Sequence, residues 1–334
     1  STQSRSSAAS DVYKRQVQLT FNSSFAKSLV SMYAFPAKVL KKLSVNSFIA
    51  YYDFISNCVT NVFEKTYDIA IDFYGYGSFV TAFLATKIQA KKKATWLHDE
   101  KPYWMKSVQK YLCEYDKIYG VSQAVVDAFC REYPHYKDKA AVFYNVIDIE
   151  EIKRKSEQDE IIPFKESFNI VTVGRLTEQK GYDIAIKAAS ILKKRKINFA
   201  WYAIGGGRDE KKLKKLVEKY CLENQFVFLG RKKNPYPYMK HCDLYVQPSR
   251  HEGYVITLVE ARALCLPILS SDIPSAREQI QDGINGYVAE LSAEDLADKI
   301  EYLYNNPSQS KKTVEYLKEH PIDFSTELLK LEII

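Results

Sequence analysis

From Ile170 to Tyr304, short apolar runs alternate with amphipathic helical stretches, and most junctions carry a glycine or a helix-capping residue. No other feature constrains the chain as much. Repeated strand–helix–strand units bury their strands only in a parallel sheet with helices packed on its faces. The pattern predicts strands at Ile170–Val173, Phe199–Ile204, Phe226–Leu229, Leu244–Val246 and Pro267–Ser271, with a turn and strand in Ile284–Ala289. It predicts helices at Tyr182–Arg195 and Glu210–Tyr220, near Tyr236–Cys242, from about Tyr254 to Leu264, and at Ala293–Tyr304. The expected fold is a doubly wound α/β domain, whose ligands sit outside the carboxyl ends of the strands.

The first half carries a weaker version of the same pattern. Strands are expected at Asp68–Phe73, Lys93–Leu97, Lys117–Val121 and Ala141–Phe143. Between them, one helix would be capped by Ser78 and run to Lys87, one would span Tyr103–Cys113, and one would be capped by Ser122 and run to Glu132. Ser24–Val62 has helical periodicity interrupted by Pro36. The charged segment Glu150–Phe168 offers little core and is expected to be the domain boundary. Val314–Ile334 holds two short helical patterns, expected to pack back across the first domain. Residues 1–16 are polar and aperiodic, and Asp11–Gln16 matches the translation of a sequencing-library adapter. They are expected to be a non-native leader. The predicted organisation is therefore a leader over 1–16, a first α/β domain over 17–160, a second over 161–310 and a helical tail over 311–334.

With 334 residues, 46% of them hydrophobic, there is enough apolar material for two cores. No apolar run approaches the roughly 18–20 residues of a spanning helix. The best candidate, Phe79–Ala90, is broken by Thr81, Thr86, Lys87 and Gln89. The net charge of +7 is mild, and no nucleic-acid-binding signature accompanies it, so nucleic acid is not an expected partner. Lysine clusters at Lys38, Lys41 and Lys42 and at Lys91–Lys93 are compatible with peripheral contact with an anionic membrane, and equally with solvated helix faces. The six cysteines lack paired spacing for zinc or redox chemistry. Most are expected to be small buried residues, consistent with a reducing cytoplasm.

The sharpest chemical feature is SRHEGYVITLVEA, Ser249–Ala261. Glu252 lies in the loop before a helix and Glu260 eight positions later inside it. Gly253 permits close backbone approach to a ligand, and the first helical amides, near Tyr254, Val255 and Ile256, suit a diphosphate. Glu260 could accept hydrogen bonds from two ribose hydroxyls. The bland alternative is a pair of surface carboxylates favoured by the helix dipole. The VGRLTEQKG segment adds Gly174, Arg175 and Lys180 at the same sheet edge. Arginine forks onto phosphate, and lysine supplies a point charge. Gly230 ends another strand, where a flat base could lie against backbone. GGGRD at Gly205–Asp209 invites a dinucleotide reading but lacks the GxGxxG spacing and sits on the wrong strand.

Together these motifs resemble the retaining GT-B glycosyltransferases of family 4, closely from Asn169 to about Tyr304 and including DGINGYVAE, Asp282–Glu290. The resemblance implies two Rossmann-like doubly wound domains facing across a cleft. It implies a nucleoside-diphosphate-sugar donor held by the second domain, and transfer of a hexose to a hydroxyl acceptor with retention. By the same resemblance Arg175 and Lys180 hold the diphosphate, Glu252 meets the donor sugar and Glu260 the ribose. In the first domain WLHDE, Trp96–Glu100, resembles the strand end that carries a histidine near the sugar, which makes His98 the second catalytic candidate, with Asp99 weaker. The family's opening strand and glycine-rich loop have no counterpart, so the acceptor-side domain is expected to be incomplete. No Asp-x-Asp or tight carboxylate cluster appears in the donor half, so neither metal nor cofactor is expected. The partners implied are a nucleotide-sugar donor and a glycan or lipid-linked acceptor, in cell-surface polysaccharide synthesis at the inner face of the membrane. The alternatives are a non-catalytic nucleotide-binding fragment, an oxidoreductase and a sugar-nucleotide epimerase.

Overall fold

The structure, a computed structural model, describes residues 52, 65–73, 75, 79–158 and 164–330. The expected leader over 1–16 and, Tyr52 apart, the helical pattern over 24–62 lie outside the described residues, as does Cys58. The described chain forms two compact units, one of residues up to 96 with 103–118, the other of 97–102 with 119–330.

In the first unit β1 (Tyr67–Asp72) leads into α1 (Phe79–Lys87) and β2 (Ala90–Leu97). The two strands pair in parallel, from Tyr67 opposite Ala90 to Asp72 opposite Thr95. Asp72 is buried at the strand end and fully used. Its Oδ2 accepts the Thr81 and Thr95 hydroxyls at 2.6 and 3.0 Å, and its Oδ1 the Gly75 amide at 3.1 Å. The single helix expected at Tyr103–Cys113 is instead two 3₁₀ helices, Pro102–Ser107 and Gln109–Glu114. Met105, Val108, Tyr111, Leu112 and Tyr115 are all buried, a spacing that an α-helix would also satisfy.

The chain continues through β3 (Lys117–Gly120), α2 (Gln123–Glu132) and β4 (Ala140–Val142), and the first sheet has the order β1-β2-β3-β4. Ser122 caps α2, its hydroxyl accepting the Val125 amide at 3.2 Å. The stretch expected to be a bare boundary contains α3 (Ile149–Ser156). Asp148 caps it by accepting the Glu151 amide at 2.9 Å, and Ile152 and Ser156 are buried.

The second sheet comprises β5 (Phe168–Val173), β6 (Phe199–Ile204), β7 (Phe226–Gly230), β8 (Leu244–Gln247), β9 (Ile268–Ser271) and β10 (Tyr287–Ala289). Its order is β10-β9-β8-β5-β6-β7, and every adjacent pair is parallel. In chain order from one edge this is the Rossmann arrangement 3-2-1-4-5-6. The helices are α4 (Tyr182–Lys194), α5 (Glu210–Lys219), α6 (Tyr236–Lys240), α7 (Ile256–Ala263), α8 (Pro274–Arg277) and α9 (Ala293–Asn305). Successive strand residues face opposite layers. Ile170, Trp201, Ala203 and Val246 pack with Leu192 and Leu296. Val171, Ala200, Tyr202 and Tyr245 pack with Leu258 and Ala276. Both faces are therefore covered, as a parallel sheet requires.

The tail folds as α10 (Pro307–Glu319) and α11 (Ser325–Leu329). It reaches back to the β4 segment. Buried Glu327 accepts the Tyr144 amide at 3.0 Å, and Lys330 donates to the Val142 carbonyl at 3.1 Å. The cysteines differ from expectation. Among those described only Cys242 is buried, whereas Cys113 and Cys221 are exposed. Among the described residues no helix is long and apolar enough to cross a membrane.

Candidate functional site

In the Rossmann order, β5 has β6 on one side and β8 on the other, and the chain reverses direction across the sheet between β5 and β8. A crevice opens outside the strand ends at such a reversal. The loops that carry the predicted site residues are those leaving β5 and β8. They are stapled together. The Arg250 amide donates to the Gln179 carbonyl at 2.8 Å, and Gln179 Nε2 to the His251 carbonyl at 3.0 Å. The Arg250 guanidinium forks onto Asp183 at 2.7 and 2.7 Å.

This staple brings Lys180 onto Glu252. Nζ lies 2.5 Å from Oε1, and the side chains are only 13% and 9% exposed. The same carboxylate oxygen accepts the Ser249 hydroxyl at 2.7 Å. Behind it runs a buried chain in which Gln247 donates to Ser249 at 2.6 Å while Tyr245 and Thr257 donate to Gln247 at 2.7 and 2.8 Å. Glu252 is thus fixed in position before any ligand arrives, which is what a group that must orient a substrate needs. Glu260, one turn into α7, is half-buried and accepts the Tyr236 hydroxyl at 2.9 Å. Burial pushes its carboxyl up, while that hydrogen bond and the nearby Lys180 charge pull it down.

The remaining predicted residues divide by what they can offer. Arg175 is exposed and, among the described residues, makes no ion pair. It lines an open pocket of about 370 Å³ with Gly206, Gly207, Arg208 and Arg231. Gly174 lies under the Lys180 stem, its Cβ position 3.4 Å from Lys180 Cδ. Gly230 has φ +69°, and its carbonyl accepts the Gly205 amide at 2.9 Å. Val255 is buried in the core, so only its backbone can face a ligand. Tyr254 rests against Tyr144 with ring centroids 5.5 Å apart. No side chain caps α7, which begins at Ile256.

Gly253 makes a close approach of a different kind from the one expected. A Cβ there would stand 2.0 Å from the His98 carbonyl oxygen and 3.0 Å from the Asp99 amide. What the glycine admits is the strand end of WLHDE, and the structure thereby brings His98 beside the residue that follows Glu252. The triple glycine is likewise an interlock between strand ends. A Cβ on Gly205 would lie 1.8 Å from the Gly174 carbonyl oxygen, and one on Gly207 2.3 Å from that of Leu176. This packing role replaces the dinucleotide reading of GGGRD.

Sequence reasoning missed three groups. Arg208 and Arg231 join Arg175 around the open pocket, and the signal available was two arginines just past strand ends. Glu100 is the third. Its carboxyl is pushed up to about 7 by burial and by the charges of Asp99, Glu278 and Glu252, with Arg131 opposing. Among the described residues no group of three or more His, Cys, Asp or Glu is placed to hold a metal ion.

A six-stranded sheet in the Rossmann order, with a buried cation–carboxylate pair at its reversal point, defines a doubly wound α/β protein. Residues 153–320 match the family described as glycosyl transferases group 1, and the chain belongs to that family. It is 33% identical over 172 residues to an uncharacterized glycosyltransferase of Methanocaldococcus jannaschii, covering 50% of this chain and 40% of that protein. It is 30% identical over 184 residues to the N-acetylgalactosamine-N,N'-diacetylbacillosaminyl-diphospho-undecaprenol 4-alpha-N-acetylgalactosaminyltransferase of Campylobacter jejuni, covering 52% of this chain and 49% of that one. The chain thus spans about half the length, or less, of these two relatives. Among solved structures, HepE of Anabaena in complex with UDP superposes with a TM-score of 0.67 at 17% identity, over 88% of this chain and 83% of that one. TarM of S. aureus does so with 0.66 at 21%, over 79% and 54%. The fold is GT-B, with two parallel-sheet α/β domains of Rossmann type.

Proposed function

We propose that this protein transfers a hexose from a nucleoside-diphosphate sugar to a hydroxyl acceptor, with retention and without a metal ion. The observation that carries the reading is the Lys180–Glu252 pair at the β5/β8 reversal, with Glu260 one turn into α7 and Arg175, without an ion pair among the described residues, on the same β5 loop. Departure of a nucleoside diphosphate builds negative charge on its phosphates. Arg175, Lys180 and the uncapped start of α7 are the groups that would counter it. Glu252 would accept hydrogen bonds from the donor sugar, Glu260 from the ribose, and His98 would approach the sugar from the Gly253 side. No side chain of the site stands out as a nucleophile, and front-face attack accounts for retention without one.

The Campylobacter relative's name places its sugar on a diphospho-undecaprenol carrier, and other relatives are named for amylovoran and colanic acid biosynthesis. These names support a glycan or lipid-linked acceptor in cell-surface polysaccharide assembly; work at the cytoplasmic face of a membrane is part of the same proposal.

Titration calorimetry with UDP, GDP and TDP tests the donor site. At least one should bind, and binding should persist in chelator. Glu260→Gln should weaken it by about 1–3 kcal/mol, the range for a hydrogen bond to a charged group. Binding that vanishes in EDTA and returns with magnesium or manganese would replace the cation clamp with a metal. An unchanged affinity in folded Glu260→Gln would remove Glu260 from the ribose.

A further inference from the structure

The charges of Asp99, Glu278 and Glu252 all reach the Glu100 carboxyl, just past the WLHDE strand end, and those three carboxylates are occupied. Glu252 holds Lys180 and the Ser249 hydroxyl. Glu278 reaches the start of α2, its two oxygens accepting the amides of Gln123 and Ala124 at 2.8 Å each, with the Tyr144 hydroxyl at 3.3 Å. Asp99 accepts the Lys101 amide at 3.0 Å. Glu100 is the exception, because its Oε1 is buried and has no hydrogen-bond partner among the described residues. A buried polar atom left unpaired is costly, and such groups concentrate where function requires them. The backbone fixes where this one sits. The His98 carbonyl and the Asp99 amide occupy the space that a Cβ on Gly253 would fill, so Glu100 follows one residue after a contact made beside Glu252.

We propose that Glu100 is a catalytic residue of the transfer site, the group that receives the proton of the attacking hydroxyl. The proposal rests on the sugar-transfer reading above. In the step, the acceptor O–H bond breaks and its proton passes to the Glu100 carboxylate. The hydroxyl oxygen bonds to the anomeric carbon, and the bond from that carbon to the phosphate oxygen breaks with its electron pair leaving on the nucleoside diphosphate. The protonated Glu100 then returns its proton to solvent. Its surroundings suit a proton carrier. Burial first, then the negative charges of Asp99, Glu278 and Glu252, hold the carboxyl at about 7 against the pull of Arg131. At that value both forms are populated near neutrality, which is where a general base works best.

The test uses the full chain, with carbon-13 on the glutamate side-chain carboxyls and the Glu100→Gln variant to assign the signal. In wild type the Glu100 resonance should titrate near pH 7, and saturating nucleoside diphosphate should raise its midpoint by roughly half a unit or more, as a nearby like charge does. In hydrolysis or transfer of the matching glucose nucleotide, Glu100→Gln should lose about 100-fold or more in kcat. It should also lose the fall in rate that wild type shows below pH 7, while nucleotide Kd stays within about twofold, since the donor contacts lie elsewhere. A second consequence needs no turnover. A carboxyl raised on folding stabilises the protein below its unfolded value and loses that contribution as pH rises through its folded value. Wild-type Tm should therefore decline between about pH 4.5 and 7 relative to Glu100→Gln. A midpoint in the ordinary carboxylate range, or one unmoved by a nucleotide that binds, overturns the assignment, as does a variant with wild-type kcat and pH profile. Failure of every nucleoside diphosphate to bind overturns the donor-site reading instead.

Discussion

The two sheets of this molecule use strands in opposite ways. In the second, β6 and β8 are buried at every residue, and side chains as large as Trp201, Tyr202 and Tyr245 are fully enclosed. In the first, β1 turns its small and polar residues inward, Ala70 and Asp72, and leaves Tyr67, Ile69 and Ile71 38%, 39% and 41% exposed. A parallel sheet is stable when helices cover both faces. The second sheet meets that condition, and the candidate donor site stands on it. Precise placement of Lys180 and Glu252 depends on strands that cannot shift, so stability and site geometry are coupled there in a way that β1 does not require.

The comparison breaks most sharply at Trp201. Its ring is buried on the α4/α9 face of the sheet, and its Nε1 donates to the Thr172 hydroxyl at 3.0 Å. Trp201→Ala should cost about 3–5 kcal/mol, the range for emptying a large aromatic site. Urea unfolding of the second unit should show it as a lowered midpoint at unchanged slope. A loss below about 1 kcal/mol would mean that this core re-closes and is less fixed than its burial suggests.

The next effect separates the two cations of the clamp. Lys180 is buried against Glu252, whereas Arg175 is exposed and makes no ion pair among the described residues. Lys180→Ala strands a buried carboxylate, so it should destabilise the fold by about 3 kcal/mol as well as impair turnover. Arg175→Ala should leave unfolding unchanged and lower turnover by roughly a hundred- to thousand-fold, the cost of removing one donor to a developing charge. Equal losses of stability in both variants would dissolve the distinction. Unaltered turnover in folded Arg175→Ala would take that residue out of the site.

How much of this was legible in the sequence follows from the same physics. The strands of the second sheet were readable because burial on both faces leaves uninterrupted apolar runs such as FAWYAI. The α7 loop was readable because a glycine and two glutamates bracket a helix start. Helix α3 was missed because IEEIKRKS has little apolar content, although Asp148 with Glu151 three residues later resembles a capping box. The 3₁₀ pair was not legible because its buried positions Val108, Tyr111, Leu112 and Tyr115 carry the spacing of an α-helix. The pairing of Lys180 with Glu252 spans 72 positions, and no local pattern announces it. Glu100 was hidden for a related reason. Its character comes first from burial in the packed chain, then from Asp99 beside it and from Glu278 and Glu252, which are distant in sequence.

The smallest expected effect lies on β1 and sharpens the contrast. Ile69→Thr keeps a β-branched side chain, so strand propensity is held while one exposed apolar group becomes polar. At a position about two-fifths exposed, the change should alter stability by about 0.5 kcal/mol or less, in the range usual for surface substitutions. The matched change in the second sheet, Val171→Thr, places a hydroxyl in a fully buried layer between Tyr202 and Tyr245 on the flanking strands. It should cost about 1–3 kcal/mol, because the new polar group must find a partner or remain unsatisfied. Unfolding both variants in the same denaturant series gives the difference directly. A cost at Ile69 equal to that at Val171 would mean that the β1 face is covered in solution, and the two sheets would then obey one rule rather than two.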